Sequence, residues 1–443
     1  MKTVALHNLG CKVNGYEMDV MQQKLQENGY IIVPFDEAAD IYIINTCTVT
    51  NIADRKSRQM LHRAKKRNPR SVVVAVGCYV QTGTEQVLQD LSVDIAIGNN
   101  KKGMIVEILD AYFASKEQKG LEVEAFCDHD YIIDINHTSE YETMHLDKPG
   151  EHTRAYIKIQ DGCNQFCSYC IIPFARGRVR SREQEDILQE VRTIAANGCR
   201  EVVLTGIHIS SYGVDFPGKE SKLLSLVQSI HQVEGIERIR LGSLEPRIVT
   251  EAFAREIAGL PKICPHFHLS LQSGCDDTLK RMNRKYTAAE YMEGVKYLRK
   301  YFDNPAITTD VIVGFPGETE EDFAICRDFL DQIHFYEMHI FKYSKRQGTR
   351  AAEMKDQVPE PVKSQRSDIL LSMEAQMSKA YRESFLGKAV EVLYEESIEK
   401  DGMLYQIGHT KEYVRFARRT EEDLSGRIYR EVPTGFLEDD ILI

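Results

Sequence analysis

Apolar runs and amphipathic segments alternate along the first hundred residues. Segment 17–28 has the spacing of a surface helix, and a basic helix is indicated around 52–67. Apolar runs without polar alternation are typical of parallel strands that helices cover on both faces. The pattern therefore predicts an α/β fold with a doubly wound parallel sheet in an N-terminal domain, residues 1–120. The predicted strands are 4–6, 30–33, 41–44, 72–76 and 93–97.

A second series of strands and helices begins at Arg154. Its first helix has apolar residues at the spacing of one buried face, and Ser181 with Gln184 predicts a capping box at its start. Six strand–helix repeats fall short of the eight in a closed barrel. We therefore predict a central partial (β/α)6 barrel over residues 151–375. Its predicted strands are 155–160, 201–205, 238–241, 266–271, 308–315 and 337–343.

The last part of the chain changes to an alternating pattern that is typical of half-buried strands. It predicts a small C-terminal all-β barrel, which we assign to residues 376–443 after a helix over 359–385. Residues 121–150 lack strong periodicity and are predicted to be a linker. The clearest alternating segments are 390–393, 404–407 and 413–416.

Composition and charge narrow the class of protein. The chain has 443 residues, 42% of them hydrophobic and 28% charged, so two or three globular domains are expected. It has no apolar run of about 18 residues and no signal-peptide pattern. Its eleven cysteines indicate thiols or metal ligands in a reducing compartment. We expect a cytoplasmic protein without a membrane span.

Two groups of arginines suggest contact with nucleic acid despite the net charge of −11. Attraction to phosphates depends on the local field rather than the total charge. In the last module, arginines alternate with aromatic residues, which suits stacking and phosphate contacts on RNA. For the arginines after the cysteine loop, the alternative is an ordinary solvent-exposed charged face. For the last module, the alternative is a purely structural end domain. The candidate RNA-binding residues are Arg176, Arg178, Arg180, Arg182, Arg415 and Arg418.

Three cysteines follow the first barrel strand with the spacing C-x3-C-x2-C, namely Cys163, Cys167 and Cys170. Four protein ligands close a structural zinc site or an ordinary iron–sulfur cluster. Three thiolates leave one metal position open, which would allow a 4Fe–4S cluster to bind a small molecule. The alternatives are a zinc knuckle with a distant fourth ligand and reduced core cysteines.

A second set of three cysteines lies in the N-terminal domain. Cys11, Cys47 and Cys78 each follow a predicted parallel strand. The carboxyl ends of such strands meet at one edge of the sheet, where open α/β folds bind ligands. We therefore predict a second three-thiolate site, with three unrelated core cysteines as the alternative. Cys127 has no partner at motif spacing and is interpreted as a plain thiol.

The C-x3-C-x2-C segment, with Tyr169 beside its last cysteine, resembles that of the radical S-adenosylmethionine enzymes. The resemblance implies a 4Fe–4S cluster whose open iron holds the amino and carboxylate groups of S-adenosylmethionine. Cleavage of that cofactor then yields a 5′-deoxyadenosyl radical. Polar or glycine residues after the barrel strands become candidate contacts to the cofactor. The predicted contacts are Tyr169, Gly206, Ser243, Glu245, Gln272 and Asp310.

The whole chain is similar to the radical-SAM methylthiotransferases. The matching motifs are Leu-Gly-Cys-Lys-Val-Asn at 9–14, Asn-Thr-Cys-Thr-Val-Thr at 45–50, Gly-Cys at 77–78 and the segment 163–182, and the tail resembles the family's RNA-binding TRAM domain. The resemblance implies a second 4Fe–4S cluster on Cys11, Cys47 and Cys78 that holds sulfide or polysulfide. It implies methylthiolation at carbon 2 of N6-threonylcarbamoyladenosine in a tRNA anticodon stem-loop. A flavodoxin or ferredoxin is the expected reductant.

Three other functions stay open at this point. A methylthiotransferase could act on isopentenyladenosine in tRNA or on a ribosomal protein. A cluster-dependent methylase or maturase would use the same radical without transferring sulfur. A zinc-bearing RNA-binding protein would not be an enzyme.

Overall fold

The computed structural model describes residues 1–119, 131–148 and 153–443. Cys127 and much of the predicted linker lie outside these residues. None of the helices in the described ranges is both long and apolar enough to cross a membrane.

The N-terminal domain is a five-stranded parallel sheet with helices on both faces, as predicted. The strand order is β2-β1-β3-β4-β5, and every residue of β3 and β4 is buried. The carboxyl ends of β1, β3 and β4 therefore open to the same edge. The elements are β1 (Thr3–Asn8), α1 (Lys12–Glu27), β2 (Ile31–Val33), β3 (Ile41–Thr46), α2 (Asn51–Arg67), β4 (Val72–Gly77), α3 (Cys78–Thr82), α4 (Thr84–Leu88), β5 (Ile95–Ile97) and α5 (Ile105–Lys119).

The central domain has the six parallel strands of the predicted partial barrel. They form two sheets, β6-β8-β9 and β10-β11-β12, and the short strand β7 adds to the first sheet antiparallel to β6. Isolated parallel bridges join the two sheets, one of them between Leu244 and Leu269. The elements are β6 (Arg154–Asp161), α6 (Ile172–Arg176), β7 (Arg180–Ser181), α7 (Gln184–Ala196), β8 (Glu201–Gly206), α8 (Leu223–His231), β9 (Arg238–Leu241), α9 (Glu251–Ala258), β10 (His266–His268), α10 (Asp276–Arg281), α11 (Ala288–Tyr301), β11 (Ala306–Val313), α12 (Glu320–Ile333), β12 (Glu337–Lys342), α13 (Arg350–Glu353) and α14 (Glu360–Glu383).

The predicted capping box at the start of α7 does not form. Glu183 occupies the N-cap position without a side-chain hydrogen bond to the helix. The Ser181 hydroxyl instead donates to Asp215 at 2.5 Å and accepts from the Gly213 amide. The carboxylate of Asp215, which is distant in sequence, therefore binds the Ser181 side chain that the local pattern assigned to the helix.

The C-terminal module is all-β and mainly antiparallel, as predicted. Helix α14 continues past residue 375, where the sequence suggested a boundary, and the first strand begins at Val390. The sheet runs in the order β16-β13-β14-β15-β18-β17, with a register shift in β13 between Tyr394 and Glu396. Its strands are β13 (Val390–Lys400), β14 (Met403–Thr410), β15 (Arg415–Arg419), β16 (Ile428–Glu431), β17 (Phe436–Glu438) and β18 (Ile441–Leu442).

A buried ionic group joins the N-terminal domain to the barrel. Glu17 of α1 accepts hydrogen bonds from Lys158 of β6 and Arg176 of α6, and it also pairs with Lys102. Although burial by itself raises the pKa of Glu17, Arg176 and the two lysines hold it well below its usual range. The carboxylate therefore stays ionised and fixes α1 against the cysteine-bearing end of β6.

We predict that Glu17→Gln destabilises the protein by about 3–5 kcal/mol, because it leaves buried cations without their shared counter-charge. The midpoint temperature of the first thermal unfolding transition should fall accordingly. Asp36→Asn is the matched control, since Asp36 pairs with Arg63 and Arg67 at the surface and is 74% exposed. Equal melting temperatures for the two variants would contradict the role given to Glu17.

Candidate active site and metal centres

The loop cysteines, Cys163, Cys167 and Cys170, lie on a tight turn between β6 and α6. Gly162 precedes them at φ +71°, and a Cβ atom there would lie 1.8 Å from the Arg178 carbonyl oxygen. The Cys163 amide donates to the Gly177 carbonyl at 3.0 Å. Only glycine allows the chain to turn this closely, so the loop's shape is set by local sterics.

The barrel holds the loop cysteines from its far side. The Ser168 amide donates to the Met282 carbonyl at 2.9 Å, and the Ser168 carbonyl accepts from Ala351 at 2.8 Å. Arg284 donates to the Cys167 sulfur at 3.2 Å and to the Ser270 carbonyl at 3.1 Å. Backbone and guanidinium together fix the loop and direct a positive charge at one sulfur.

The N-terminal cysteines, Cys11, Cys47 and Cys78, gather at the predicted edge of the parallel sheet. Gly10 adopts φ +111°, and a Cβ atom there would lie 3.1 Å from the Cys47 sulfur. Burial, together with the nearby thiols of Cys78 and Cys11, raises the pKa of Cys47 to about 11. Three residues that are distant in sequence therefore come within electrostatic reach of one another.

The spacing of the sulfurs bears on whether either cysteine set is arranged around a single zinc ion. Across the three described ranges, only His268, Asp310 and His339 bring three possible ligand atoms within 4.8 Å of one another. Two sulfurs on one zinc lie at most about 4.6 Å apart, because each Zn–S bond is about 2.3 Å. Neither cysteine set meets this condition. As the side chains stand, neither set has the geometry of a single-zinc site, and each offers the three thiols that a cluster with one open metal position would use.

Burial also bears on how the loop cysteines take up metal. It raises the pKa of Cys163 to about 11 and that of Cys170 to about 12. Without metal, the thiols of Cys163 and Cys170 are therefore protonated at neutral pH, and cluster assembly must displace their protons.

Three of the arginines assigned to RNA are in the interior, and the prediction is wrong for them. Arg176, Arg180 and Arg182 are at most 1% exposed. Arg176 pairs with Glu17, and Arg182 pairs with Asp186 and Glu190. These carboxylates satisfy the charges that the alternating sequence suggested would face phosphates.

Arg178 alone of that group is exposed. Its guanidinium lies 4.4 Å from the centre of the Phe166 ring, which in turn makes an edge contact with Phe174. In the last module, Arg415 pairs with Asp440, and Arg418 pairs with Glu431 while lying over the Tyr429 ring. Contact of Arg178, Arg415 and Arg418 with RNA stays a prediction.

The candidate cofactor contacts lie around the barrel. Tyr169 is packed against Phe315, with ring centres 6.2 Å apart. Gly206 ends β8, Ser243 is exposed after β9, and Gln272 follows β10 with φ +73°. Glu245 accepts a hydrogen bond from Arg247 at 2.7 Å. Their contact with S-adenosylmethionine stays a prediction.

Sequence reasoning missed two histidines, His268 and His339, that lie beside the predicted contact Asp310 on the inner face of the barrel. His268, Asp310 and His339 lie on neighbouring strands, and the rings of the two histidines stack with centres 6.0 Å apart. Asp310 pairs in register with His339. Strand parity could have found them, because their sequence neighbours Phe267, Val311 and Met338 belong to the opposite, apolar face. Arg284 had no comparable signal.

A cavity of about 870 Å³ is lined by one sequence neighbour of a cysteine from each set. Tyr79, directly after Cys78, and Ile171, directly after Cys170, both line it. Arg58 and the half-exposed Phe174 form another part of its wall. Aromatic rings and a cation in one cavity suit a splayed-out base.

Comparisons with known proteins agree with this architecture. The profile described as "Radical SAM superfamily" matches residues 157–330, and that described as "Uncharacterized protein family UPF0004" matches residues 3–98. Among solved structures, the radical S-adenosylmethionine methyltransferase TsrM from Kitasatospora setae has a TM-score of 0.54 at 16% identity, covering 77% of this chain and 75% of that one. This likeness supports the fold alone.

Curated relatives match over nearly the full length. The Threonylcarbamoyladenosine tRNA methylthiotransferase MtaB of Bacillus subtilis is 39% identical, with 97% of this chain and 93% of the relative covered. The protein of the same name from Aquifex aeolicus is 38% identical, with 96% and 99% covered. The tRNA-2-methylthio-N(6)-dimethylallyladenosine synthase of Acetivibrio thermocellus is 36% identical, with 89% and 81% covered. The chain therefore belongs to the radical S-adenosylmethionine tRNA methylthiotransferase family.

Proposed function

We propose that this enzyme adds a methylthio group at carbon 2 of N6-threonylcarbamoyladenosine beside the anticodon of tRNA. The pair of three-cysteine sets at one domain seam is the observation that carries the proposal. Radical S-adenosylmethionine enzymes use a 4Fe–4S cluster, and we assign it to the loop cysteines. We assign a second 4Fe–4S cluster, with sulfide or polysulfide as its sulfur source, to the N-terminal cysteines.

The target atom explains the need for this chemistry. Carbon 2 of adenine carries no acidic proton, so general acid–base groups alone cannot replace its hydrogen. The loop cluster, when bound with S-adenosylmethionine, supplies a radical for that purpose. The protein's own part is to orient the loop through Arg284 and Ser168, and to admit the base through the cavity that Tyr79 and Phe174 line.

Lys12 supports the threonylcarbamoyl substrate over the dimethylallyl one. It follows Cys11 directly and is exposed, and none of the described residues forms an ion pair or hydrogen bond with its ammonium group. Arg240 and Arg154 of the barrel strands lie within electrostatic reach of Lys12, which places it near the barrel's inner face. A free cation there suits the carboxylate of a threonylcarbamoyl group, whereas a dimethylallyl group has no charge to meet it.

The remaining partners follow from the same proposal. A tRNA anticodon stem-loop would present the base, and Arg178, Arg415 and Arg418 are the candidate phosphate contacts. A flavodoxin or ferredoxin would supply electrons in the cytoplasm. Anaerobic reconstitution with candidate tRNAs, followed by mass spectrometry of the nucleosides, tests the whole assignment. Product on isopentenyladenosine or a ribosomal protein instead, or a product without sulfur, would overturn it.

We predict that replacing Cys163, Cys167 and Cys170 with Ala halves the bound iron and abolishes 5′-deoxyadenosine formation, because the cofactor then has no open iron to bind. Iron analysis and chromatography of the nucleoside products measure both effects. Replacing buried Cys264 with Ala is the control, since it lies in neither set. Undiminished 5′-deoxyadenosine would refute the assignment of the loop cysteines.

Replacing Cys11, Cys47 and Cys78 with Ala should also halve the bound iron, but it should leave cofactor cleavage intact. Sulfur insertion should stop, because the sulfur source has lost its ligands. The two readouts are 5′-deoxyadenosine and methylthio nucleoside from the same reaction. Persistent methylthiolation would rule out the role given to the N-terminal cysteines.

We predict that Lys12→Met lowers kcat/KM on the threonylcarbamoyl substrate about 10- to 100-fold, the cost of losing one charged hydrogen bond. Lys12→Arg keeps the charge and should recover most of the activity. Iron content should be unchanged in both variants. If Lys12→Met instead matches the unsubstituted enzyme on this tRNA, carboxylate recognition lies elsewhere.

A further inference from the structure

Arg176 connects the loop of one cysteine set to a sulfur of the other. It lies in α6, six positions after Cys170, and it is completely buried. Its Nε donates to the Cys78 sulfur at 3.2 Å.

All the hydrogen-bond donors of Arg176 are used. A guanidinium group has five N–H donors. The other four contacts are to Glu17 Oε1 at 2.5 Å, Glu17 Oε2 at 3.0 Å, Asp161 at 3.2 Å and Asn14 at 2.5 Å. Each of the five donors of Arg176 therefore has an acceptor, and one of these acceptors is the Cys78 sulfur.

The ionic group around Arg176 has more positive than negative charge. Four cations pair with two carboxylates, and all six side chains are at most 2% exposed. Within the described parts of the chain, these pairings leave two positive charges over. The members are Arg176, Arg180, Lys102, Lys158, Glu17 and Asp161.

The neighbouring Glu142 does not remove the imbalance. Burial raises the pKa of its carboxyl group, and its hydrogen bond comes from the Gly103 amide rather than from one of the cations. Even a fully ionised Glu142 would leave one positive charge in excess. Uncompensated charge in the interior is costly, so a further anion must belong to this environment.

A ligated cluster at the N-terminal cysteines has the required charge. Three thiolates outweigh the positive charge of an oxidised 4Fe–4S core, and both reduction and added sulfide make the assembly more negative. The nearest recipient is the Cys78 sulfur, to which Arg176 already donates. Hydrogen bonds to cluster sulfurs and nearby charge are general determinants of cluster potential.

We propose that Arg176 is a positioning residue for the second cluster: it holds the Cys78 thiolate and stabilises the more negative, reduced or sulfur-loaded form. The inference rests on the proposed function, since it requires a cluster at Cys11, Cys47 and Cys78. Because Arg176 belongs to the segment of the loop cysteines, it also links the geometry of the two sites across the domain seam.

The test uses the full chain with Cys163, Cys167 and Cys170 replaced by Ala, so that only the second cluster remains. Arg176→Met is compared with Arg182→Met in this background. Arg182 is equally buried in the same segment, and its ion pairs are with Asp186 and Glu190 rather than with a sulfur. Potentiometric titration followed by electron paramagnetic resonance gives the reduction potential, and iron analysis gives the occupancy.

Arg176→Met should lower the potential by about 59 mV or more, which is a tenfold change in a one-electron equilibrium. Arg176→Lys should shift it less, and Arg182→Met should leave it unchanged. Loss of iron from Arg176→Met alone would also support the proposal. Equal potentials with full iron content, or equal effects of Arg176→Met and Arg182→Met, would overturn it. Absence of iron from the parent background would refute the second cluster itself, and the inference with it.

Discussion

The carboxylate of Glu17 is the interaction on which the rest of the structure depends. It is the shared counter-charge of Lys102, Lys158 and Arg176, which come from the N-terminal domain, the first barrel strand and the segment after the loop cysteines. Each of these cations would be costly to bury alone. Because they satisfy one carboxylate together, the two cysteine-bearing edges must meet at one seam.

Each cysteine set receives one guanidinium from a different part of the chain. Arg284 reaches Cys167 from the segment after α10, and Arg176 reaches Cys78 from the barrel. The two contacts have the same length, 3.2 Å. They differ in surroundings, because Arg284 also binds a backbone carbonyl and Tyr286, whereas Arg176 lies among ionised side chains. The second site is therefore the more strongly cationic of the two.

Local patterns predicted much of the fold because burial repeats at the period of each element. The apolar runs of β3 and β4 are buried along their full length, as a doubly covered sheet requires. The same reasoning failed for Arg176, Arg180 and Arg182. An alternating row of arginines looks like a phosphate-binding edge when its partners are unknown. Glu17, Asp161 and Glu190 are those partners; Glu17 is 159 positions from Arg176, whereas Glu190 is only 8 positions from Arg182, and no local pattern marks either pairing.

The sequence by itself determined the α/β architecture, the six cysteines and the family, because hydrophobic period and close motif spacing are local properties. Only the tertiary structure decided which charges are buried and which sulfur each arginine touches. It also brought Lys12, His268 and His339 toward the barrel interior. Ion pairs depend on where separate strands and helices meet, and their net contribution to stability depends on how far the two charges are buried. The sequence specifies which residues are charged, but the fold determines which charged residues pair with one another.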